Sequence, residues 1–284
     1  MPETLDCRAV AHRFFDWVVE AKAKLTTPPT LATVLFEPGH NAGSLQYRDL
    51  MLKDAARLGI EARKLEPKDE GELLSSIGAL NDDPRVTGVM IFYPIGGQVA
   101  DKDLMDLVSP HKDVEGLHSL NLGYLVKYKR YMDEERGIKC VVPATAKAVV
   151  KTLQHHGVPL ERRFVTIVNH SMRVGKPLGL MLENLGATVV ECFDKTRQSD
   201  MEDCIRRADV VVTAVPDVEF NIPTDWIRPG ASVVDVSYQG NIDAVSLPAA
   251  VAHATMPGNR IGQVTRAMTF VNLIYCAQAL ARRG

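Results

Sequence analysis

The sequence of 284 residues lacks the features that mark several specialised classes of protein. Its 33 lysines and arginines against 35 aspartates and glutamates leave a net charge of −2, which gives no reason to expect nucleic acid or an anionic membrane as a partner. No apolar run approaches the roughly 18 residues that a membrane span needs. The first 15 residues carry early acids and no apolar core, unlike a signal peptide. With 46% hydrophobic and 24% charged residues, the composition is typical of a soluble globular protein.

Cysteine is scarce and scattered. The five cysteines form no C-x-x-C pair and no paired spacing; they are Cys7, Cys140, Cys192, Cys204 and Cys276. This pattern predicts reduced, mostly buried thiols in a cytoplasmic compartment, with neither a disulfide framework nor a metal site.

One stretch predicts a strand, a polar turn and a helix in succession. Residues 164–168 (FVTIV) are a short β-branched run typical of a buried parallel strand. Asn169 opens the turn, where we expect it to adopt positive φ, and Gly175 is the only glycine in that turn. A second strand is predicted at 187–192. Such a unit offers backbone N–H groups to a dinucleotide pyrophosphate, although an ordinary strand–turn–helix in a larger sheet would show the same pattern.

The rest of the chain alternates predicted strands and helices, which indicates an α/β fold with largely parallel sheets. Strands are predicted at 30–36, 60–65, 88–93, 210–214 and 232–236, and helices at 4–25, 44–58, 70–80, 102–108, 145–156, 200–207 and 265–281. Residues 37–43 and 256–262 are predicted loops, and residues 121–140 look irregular and basic. Two such sets joined near residue 144 predict two lobes with a cleft between them.

Four motifs occur in an order that resembles the methylenetetrahydrofolate dehydrogenase family, whose usual bacterial members also carry cyclohydrolase activity. The family's cofactor turn corresponds to residues 169–177 (NHSMRVGKP), and its Lys-Asp-Val-Asp-Gly motif to residues 112–116 (KDVEG). Its Pro-Cys-Thr-Pro motif corresponds to residues 143–146 (PATA), and its C-terminal glycine loop to residues 257–262, followed by Thr265 and Asn272. The resemblance covers essentially the whole chain and is strongest to monofunctional NAD-dependent members, which share the Val-Glu-Gly variant.

The resemblance implies a fold, an activity and an assembly. It implies a folate-binding catalytic domain at 1–144, a Rossmann-like dinucleotide-binding domain at 145–264, and a C-terminal helix at 265–284 that packs back on the first domain. The implied enzyme oxidises methylenetetrahydrofolate to methenyltetrahydrofolate with NAD, or alternatively NADP, as a homodimer.

The resemblance also implies which residues form the site. Tyr47 and Glu115 are the implied catalytic residues, and they bind folate together with Phe92 and Tyr93. The implied cofactor-binding residues are Thr145, Asn169, His170, Ser171, Arg173, Val174, Gly175, Asp194 and Thr265.

Each of these residues also has a plain structural interpretation. Glu115 would bind the pterin amino and N3 groups, or would be a solvated loop charge. Tyr47 would contact the folate, or would be a half-buried helix tyrosine. Thr145 would lie near the cofactor or cap a helix, and Phe92 and Tyr93 would line the folate pocket or form strand-end core.

Two departures from the family pattern concern the cyclohydrolase step. Met51 stands at the position of the family's active-site lysine, and Phe92 at that of its glutamine. Lys53 is about 200° further around the helix, so it does not replace the lysine. We therefore expect cyclohydrolase activity to be lost or weak; if it is present, Lys53 or His40 would have taken over the role. The alternatives are a bifunctional NADP enzyme and a non-catalytic descendant. An unrelated amino- or hydroxy-acid dehydrogenase would not explain the KDVEG segment.

Charges near the predicted ribose site favour NAD over NADP. The family's turn arginine is His170 here, and Asp194 follows the second strand. Arg173 and Lys195 instead favour NADP, because either could reach a 2′-phosphate.

Overall fold

The computed structural model describes residues 2–36 and 42–282. The chain divides into two compact units, one formed by residues 1–13 and 145–268 and the other by residues 14–144 and 269–284. Residues 1–13 and 265–268 thus lie in the unit that contains residues 145–264, and the domain bounds given above stay a prediction. Residues 37–41, which hold most of the predicted loop and His40, lie outside the described residues.

The unit of residues 14–144 and 269–284 contains a parallel three-stranded sheet in the order β3-β2-β4. Its strands are β2 (Thr30–Val34), β3 (Glu61–Leu65) and β4 (Gly88–Ile91). The helices that lie wholly within this unit include α2 (Ala42–Arg57), α3 (Glu70–Asp82), α4 (Asp101–Met105) and α5 (Ser119–Val126), and an antiparallel hairpin joins β5 (Tyr131–Asp133) to β6 (Ile138–Lys139). The central β2 is buried along its whole length, as expected for a strand covered on both faces.

The unit of residues 1–13 and 145–268 contains a parallel six-stranded sheet in the order β1-β11-β10-β9-β7-β8. The strands are β1 (Glu3–Thr4), β7 (Phe164–Val168), β8 (Thr188–Cys192), β9 (Val210–Thr213), β10 (Ser232–Asp235) and β11 (His253–Ala254). Helices α7 (Gly175–Glu183) and α8 (Gln198–Arg207) connect β7 to β8 and β8 to β9. This is the doubly wound arrangement of a dinucleotide-binding sheet.

Three further helices contain the points where the chain passes from one unit to the other. They are α1 (Cys7–Lys22), α6 (Ala144–His155) and α9 (Gly262–Ala281). Helix α9 is apolar on nearly all sides, and Phe270, Leu273 and Ile274 are fully buried.

The predicted α/β class with parallel sheets is confirmed. The prediction of irregular structure at 121–140 is wrong, since these residues include most of α5 and the whole β5–β6 hairpin. All five cysteines are free thiols, and only Cys204 is not fully buried. Among the described residues no helix is long and apolar enough to cross a membrane.

Candidate active site

The turn after β7 is built around the side chain of Asn169. Its Oδ1 accepts hydrogen bonds from the backbone N–H groups of Ser171 and Gly175, each at 2.9 Å, and from the Ser171 hydroxyl at 2.8 Å. Its Nδ2 donates to the carbonyl oxygen of Ala214, at the end of β9, at 2.7 Å. The positive φ expected for Asn169 is wrong: among described non-glycine residues only Tyr128 and Arg162 have one. Asn169 shapes the turn through its carboxamide instead.

Gly175 allows the backbone of this turn to approach the start of α7. A Cβ at this position would lie 2.3 Å from the carbonyl oxygen of Asn169, far inside van der Waals contact. The Ser171 hydroxyl accepts a hydrogen bond from the N–H of Val174, the residue immediately before α7, at 3.1 Å. Ser171, Met172 and Arg173 are exposed, so the turn presents itself to solvent at a helix N-terminus, where a pyrophosphate binds well.

His170 is held by two partners from β8 and the residue after it. Its Nδ1 lies 2.9 Å from Oε2 of Glu191 in β8, and its ring stacks on Phe193 with centroids 4.4 Å apart and planes 20° apart. Asp194, the acid predicted to lie near the ribose, is 75% exposed and forms an ion pair with Lys195 at 3.0 Å. Both acids belong to the edge of the sheet where the turn lies.

Two predicted cofactor residues lie on other helices. Thr145 is the second residue of α6, so it does not cap that helix. Thr265 is buried in the first turn of α9, and its hydroxyl donates to the carbonyl oxygen of Ile261 at 3.3 Å. Their contribution to cofactor binding stays a prediction.

The KDVEG segment extends the three-stranded sheet beside β4. Val89 pairs in parallel with Asp113, and its N–H donates to the carbonyl oxygen of Lys112 at 2.7 Å. This pairing is an isolated bridge, after which the chain bends at Val114 and Glu115. Because the carboxyl ends of parallel strands meet at one edge of a sheet, Glu115 and Phe92 are expected at the same edge.

The buried carboxylate of Asp113 determines the shape of that segment. Oδ1 accepts from the N–H groups of Glu115 at 3.1 Å and Gly116 at 2.8 Å. Oδ2 accepts from the N–H of His118 at 2.8 Å and from Nδ2 of Asn121 at 2.9 Å. Burial raises the pKa of Asp113, and these donors oppose that rise. The preceding Lys112 is equally structural, because its ammonium donates to two backbone carbonyl oxygens.

Gly116 and Asn272 hold the segment against residues 142–143. Gly116 has φ +73°, and a Cβ there would lie 2.4 Å from the carbonyl carbon of Val142. The fully buried Asn272 of α9 donates from Nδ2 to the carbonyl oxygens of Val114 and Val142, at 2.9 and 3.0 Å. Glu115 is therefore a half-buried carboxylate on a rigid turn, which favours a binding role over a solvated loop charge.

The positions that depart from the family pattern are apolar and buried. Met51 of α2 is fully buried and Phe92 is 5% exposed, whereas Lys53 is exposed, in agreement with the expected rotation around the helix. The half-buried ring of Tyr47 meets Phe92 edge to face, with centroids 6.1 Å apart. Tyr93 is 8% exposed and packs in the apolar core of this unit.

Neither the contact of Glu191 with His170 nor the four hydrogen bonds that Asp113 accepts were predicted from the sequence. A charged residue inside the apolar strand 187–192 was the available signal for Glu191. Among residues 2–36 and 42–282, no group of His, Cys, Asp and Glu is arranged to hold a metal ion.

Comparison with known proteins agrees with this arrangement. The tetrahydrofolate dehydrogenase/cyclohydrolase catalytic domain matches residues 5–115, and the NAD(P)-binding domain of the same family matches residues 143–281. The chain is 30% identical to the bifunctional protein FolD of Leptospira biflexa, over 95% of this chain and 92% of that one. It is 34% identical to the FolD of Teredinibacter turnerae, over 86% and 85%.

Solved structures of the same fold include a 5,10-methylenetetrahydrofolate dehydrogenase from Bombyx mori, with TM-score 0.87 and 28% identity over 99% of both chains. The NAD-dependent enzyme from Saccharomyces cerevisiae has TM-score 0.89 over 99% of this chain and 98% of that one; at 23% identity it supports the fold alone. The curated relatives are bifunctional by name, so they do not support the predicted loss of cyclohydrolase activity. The resemblance predicted from the motifs is confirmed, and the chain belongs to the tetrahydrofolate dehydrogenase/cyclohydrolase family.

Proposed function

We propose that this chain oxidises methylenetetrahydrofolate to methenyltetrahydrofolate by hydride transfer to NAD(P). The observation that carries the proposal is the rigid turn at 112–116, on which Asp113 fixes the backbone and Glu115 presents a half-buried carboxylate. The cofactor turn supports it independently, because the absence of a Cβ at Gly175 permits the tight turn between strand and helix that a pyrophosphate site uses.

In this proposal the protein mainly binds and orients. Hydride acceptance is the chemistry that the nicotinamide supplies when the cofactor is bound. The folate's own nitrogens stabilise the methenyl cation, so no protein acid or base is needed for this step. Glu115 accepts hydrogen bonds from the 2-amino and N3 groups of the pterin, and the rings of Tyr47 and Phe92 provide an apolar wall. Correct alignment of the two reacting rings is the main source of rate acceleration.

Exchange of Glu115 for glutamine tests the folate site. The variant keeps the size of the side chain and removes the charge that strengthens its hydrogen bonds by about 1.5–3 kcal/mol. We expect kcat/KM for the folate to fall about 10- to 100-fold, with the KM for the dinucleotide unchanged. Glu135→Gln, an exposed change in the same unit, is the matched control. Unchanged folate kinetics in Glu115→Gln would remove Glu115 from the site.

The cyclohydrolase step makes a different demand on the protein. Water attack on the methenyl carbon requires proton transfer, for which a positioned acid or base typically contributes about 10²–10⁴-fold. The thioether of Met51 and the ring of Phe92 can neither take nor give a proton, and both are buried. On this ground we propose that the cyclohydrolase activity is weak. The second candidate is the bifunctional NADP enzyme, which the names of the curated relatives favour.

One pair of absorbance assays separates the candidates. The first follows NADH or NADPH together with the methenyl product, starting from methylenetetrahydrofolate. The second supplies methenyltetrahydrofolate and follows its loss with and without enzyme. Accumulation of methenyl product is expected; hydrolysis rising in proportion to enzyme concentration would establish the bifunctional enzyme. Absence of turnover with either dinucleotide would leave the non-catalytic descendant.

The preferred cofactor and the assembly complete the proposal. We propose NAD, because the turn arginine of the family is replaced by His170 and acids lie near the ribose position. A tenfold preference for NADP in kcat/KM would overturn this choice. A homodimer is proposed by family resemblance, and light scattering coupled to size-exclusion chromatography tests it.

A further inference from the structure

Glu191 is an unusual residue in an otherwise apolar strand. Its neighbours in β8, Val190 and Cys192, pack into the apolar cluster that includes Ile205 of α8. Because side chains alternate along a strand, Glu191 belongs to the opposite face, towards α7. Gly179 of α7 makes room for it, since a Cβ there would lie 2.8 Å from Oε1 of Glu191.

The carboxylate of Glu191 also holds the imidazole ring of His170, which belongs to the cofactor turn. Oε2 lies 2.9 Å from Nδ1 of His170, whose ring stacks on Phe193. The side chain of Glu191 is 23% exposed and that of His170 is 42% exposed, so both remain accessible to a ligand. The pair joins the turn after β7 to the carboxyl end of β8, where such units place the ribose of the adenosine.

We propose that Glu191, oriented by His170, is the residue that selects NAD over NADP in this chain; this rests on the proposed function. Its carboxylate accepts hydrogen bonds from the ribose hydroxyls of NAD. The same negative charge repels the 2′-phosphate of NADP, and bringing like charges together disfavours the wrong ligand. His170 occupies the position from which an arginine would otherwise neutralise that phosphate.

Asp194 is the competing candidate, and its surroundings weaken its case. It is 75% exposed and its charge is balanced by Lys195 at 3.0 Å, an arrangement that solvent screens strongly. Glu191 is better shielded, and the spacing rule of roughly 20 residues does not separate the two acids, which lie 16 and 19 residues beyond Gly175. Glu191 is therefore expected to contribute more than Asp194 to the selection of NAD over NADP.

Calorimetric titration of the full chain with NAD and with NADP measures the selectivity directly, without relying on turnover. For Glu191→Gln we expect the ratio of the two dissociation constants to shift towards NADP by about 10- to 100-fold. Asp194→Asn should shift it by at most about fivefold. Glu191→Asp retains the charge and should keep most of the preference. Exposed Glu161→Gln in the same unit is the matched control, with a change within about twofold.

Each result bears on the inference. An unchanged ratio in Glu191→Gln would overturn it, as would a loss in Glu191→Asp equal to that in Glu191→Gln, a larger effect at Asp194, or a wild-type chain that binds neither dinucleotide. Turnover with an unchanged ratio refutes only the role of Glu191. The expected shift in binding without turnover of methylenetetrahydrofolate refutes only the proposed function.

Discussion

Replacing Asp113 by asparagine should destabilise the unit of residues 14–144 and 269–284 while preserving the volume of the side chain. The carboxylate accepts four hydrogen bonds, two on each oxygen. An amide keeps one oxygen and turns the other acceptor into a donor, so two of the four bonds are lost. Bonds to a charged group contribute about 1.5–3 kcal/mol each, which gives a gross loss of about 3–6 kcal/mol.

The neutral amide recovers part of that loss because it no longer buries a charge, whose burial raises the pKa of Asp113. We therefore expect the free energy of unfolding to fall by about 2–4 kcal/mol, short of the 5–15 kcal/mol typical of a whole domain. The KM for folate should rise as well, since the turn that presents Glu115 loses two of its fixed points.

Urea unfolding followed by circular dichroism measures the change. Asp106→Asn is the matched control, because that carboxylate also binds N–H and O–H donors, of Ser119, but is 43% exposed. Its loss should stay below about 1 kcal/mol. Equal losses in the two variants would refute the view that the buried carboxylate organises this turn.

Three other predictions follow from contacts of the described residues. Asn272→Leu removes the hydrogen bonds to the carbonyl oxygens of Val114 and Val142, so the free energy of unfolding in urea should fall by about 1–3 kcal/mol. A fall below about 0.5 kcal/mol would contradict the view that Asn272 holds these two segments together. Met51→Lys should not restore full cyclohydrolase activity, because Phe92 still replaces the second polar group, and full hydrolysis of methenyltetrahydrofolate by this variant would contradict the assignment. Burial raises the pKa of Cys7 and of Cys192 to about 12 and of Cys140 to about 11, so these thiols should react slowly with a disulfide reagent at pH 8 in the native chain. Cys204 should react first, and rapid labelling of all five before denaturation would contradict this.

The sequence predicted best where local pattern and tertiary environment agree. The strand at 164–168 has the predicted bounds because an uninterrupted β-branched run suits a doubly covered parallel strand. The two-residue strands β1 and β11 have no such pattern, since they exist only through pairing with neighbours distant in sequence. Residues 121–140 were predicted to be irregular because they are rich in basic residues. Helix α5 and the strands of the hairpin are too short to show a clear apolar periodicity.

In the candidate site, too, some features could be predicted from the sequence and others could not. The residue types in the cofactor turn and in KDVEG were identifiable from their motifs, but the contacts that their side chains make were not. Asn169 was expected to contribute its backbone conformation and contributes its carboxamide instead. Glu191 meets His170 only because β7 and β8 pair in parallel with Ile167 opposite Glu191, a register that no local pattern determines.

The path of the chain through its two units limits how the gene could be divided. Cutting at residue 144 would give an N-terminal fragment without Phe270 and Asn272, which fill and tether the core of its unit. The C-terminal fragment would lack β1 and the fully buried Leu5, whose N–H donates to Ala254 at 2.9 Å. Each fragment would then expose a surface that residues of the other fragment cover in the intact chain. A permuted gene that joins residues 145–268 to residues 1–13 would instead encode one complete unit as a continuous segment.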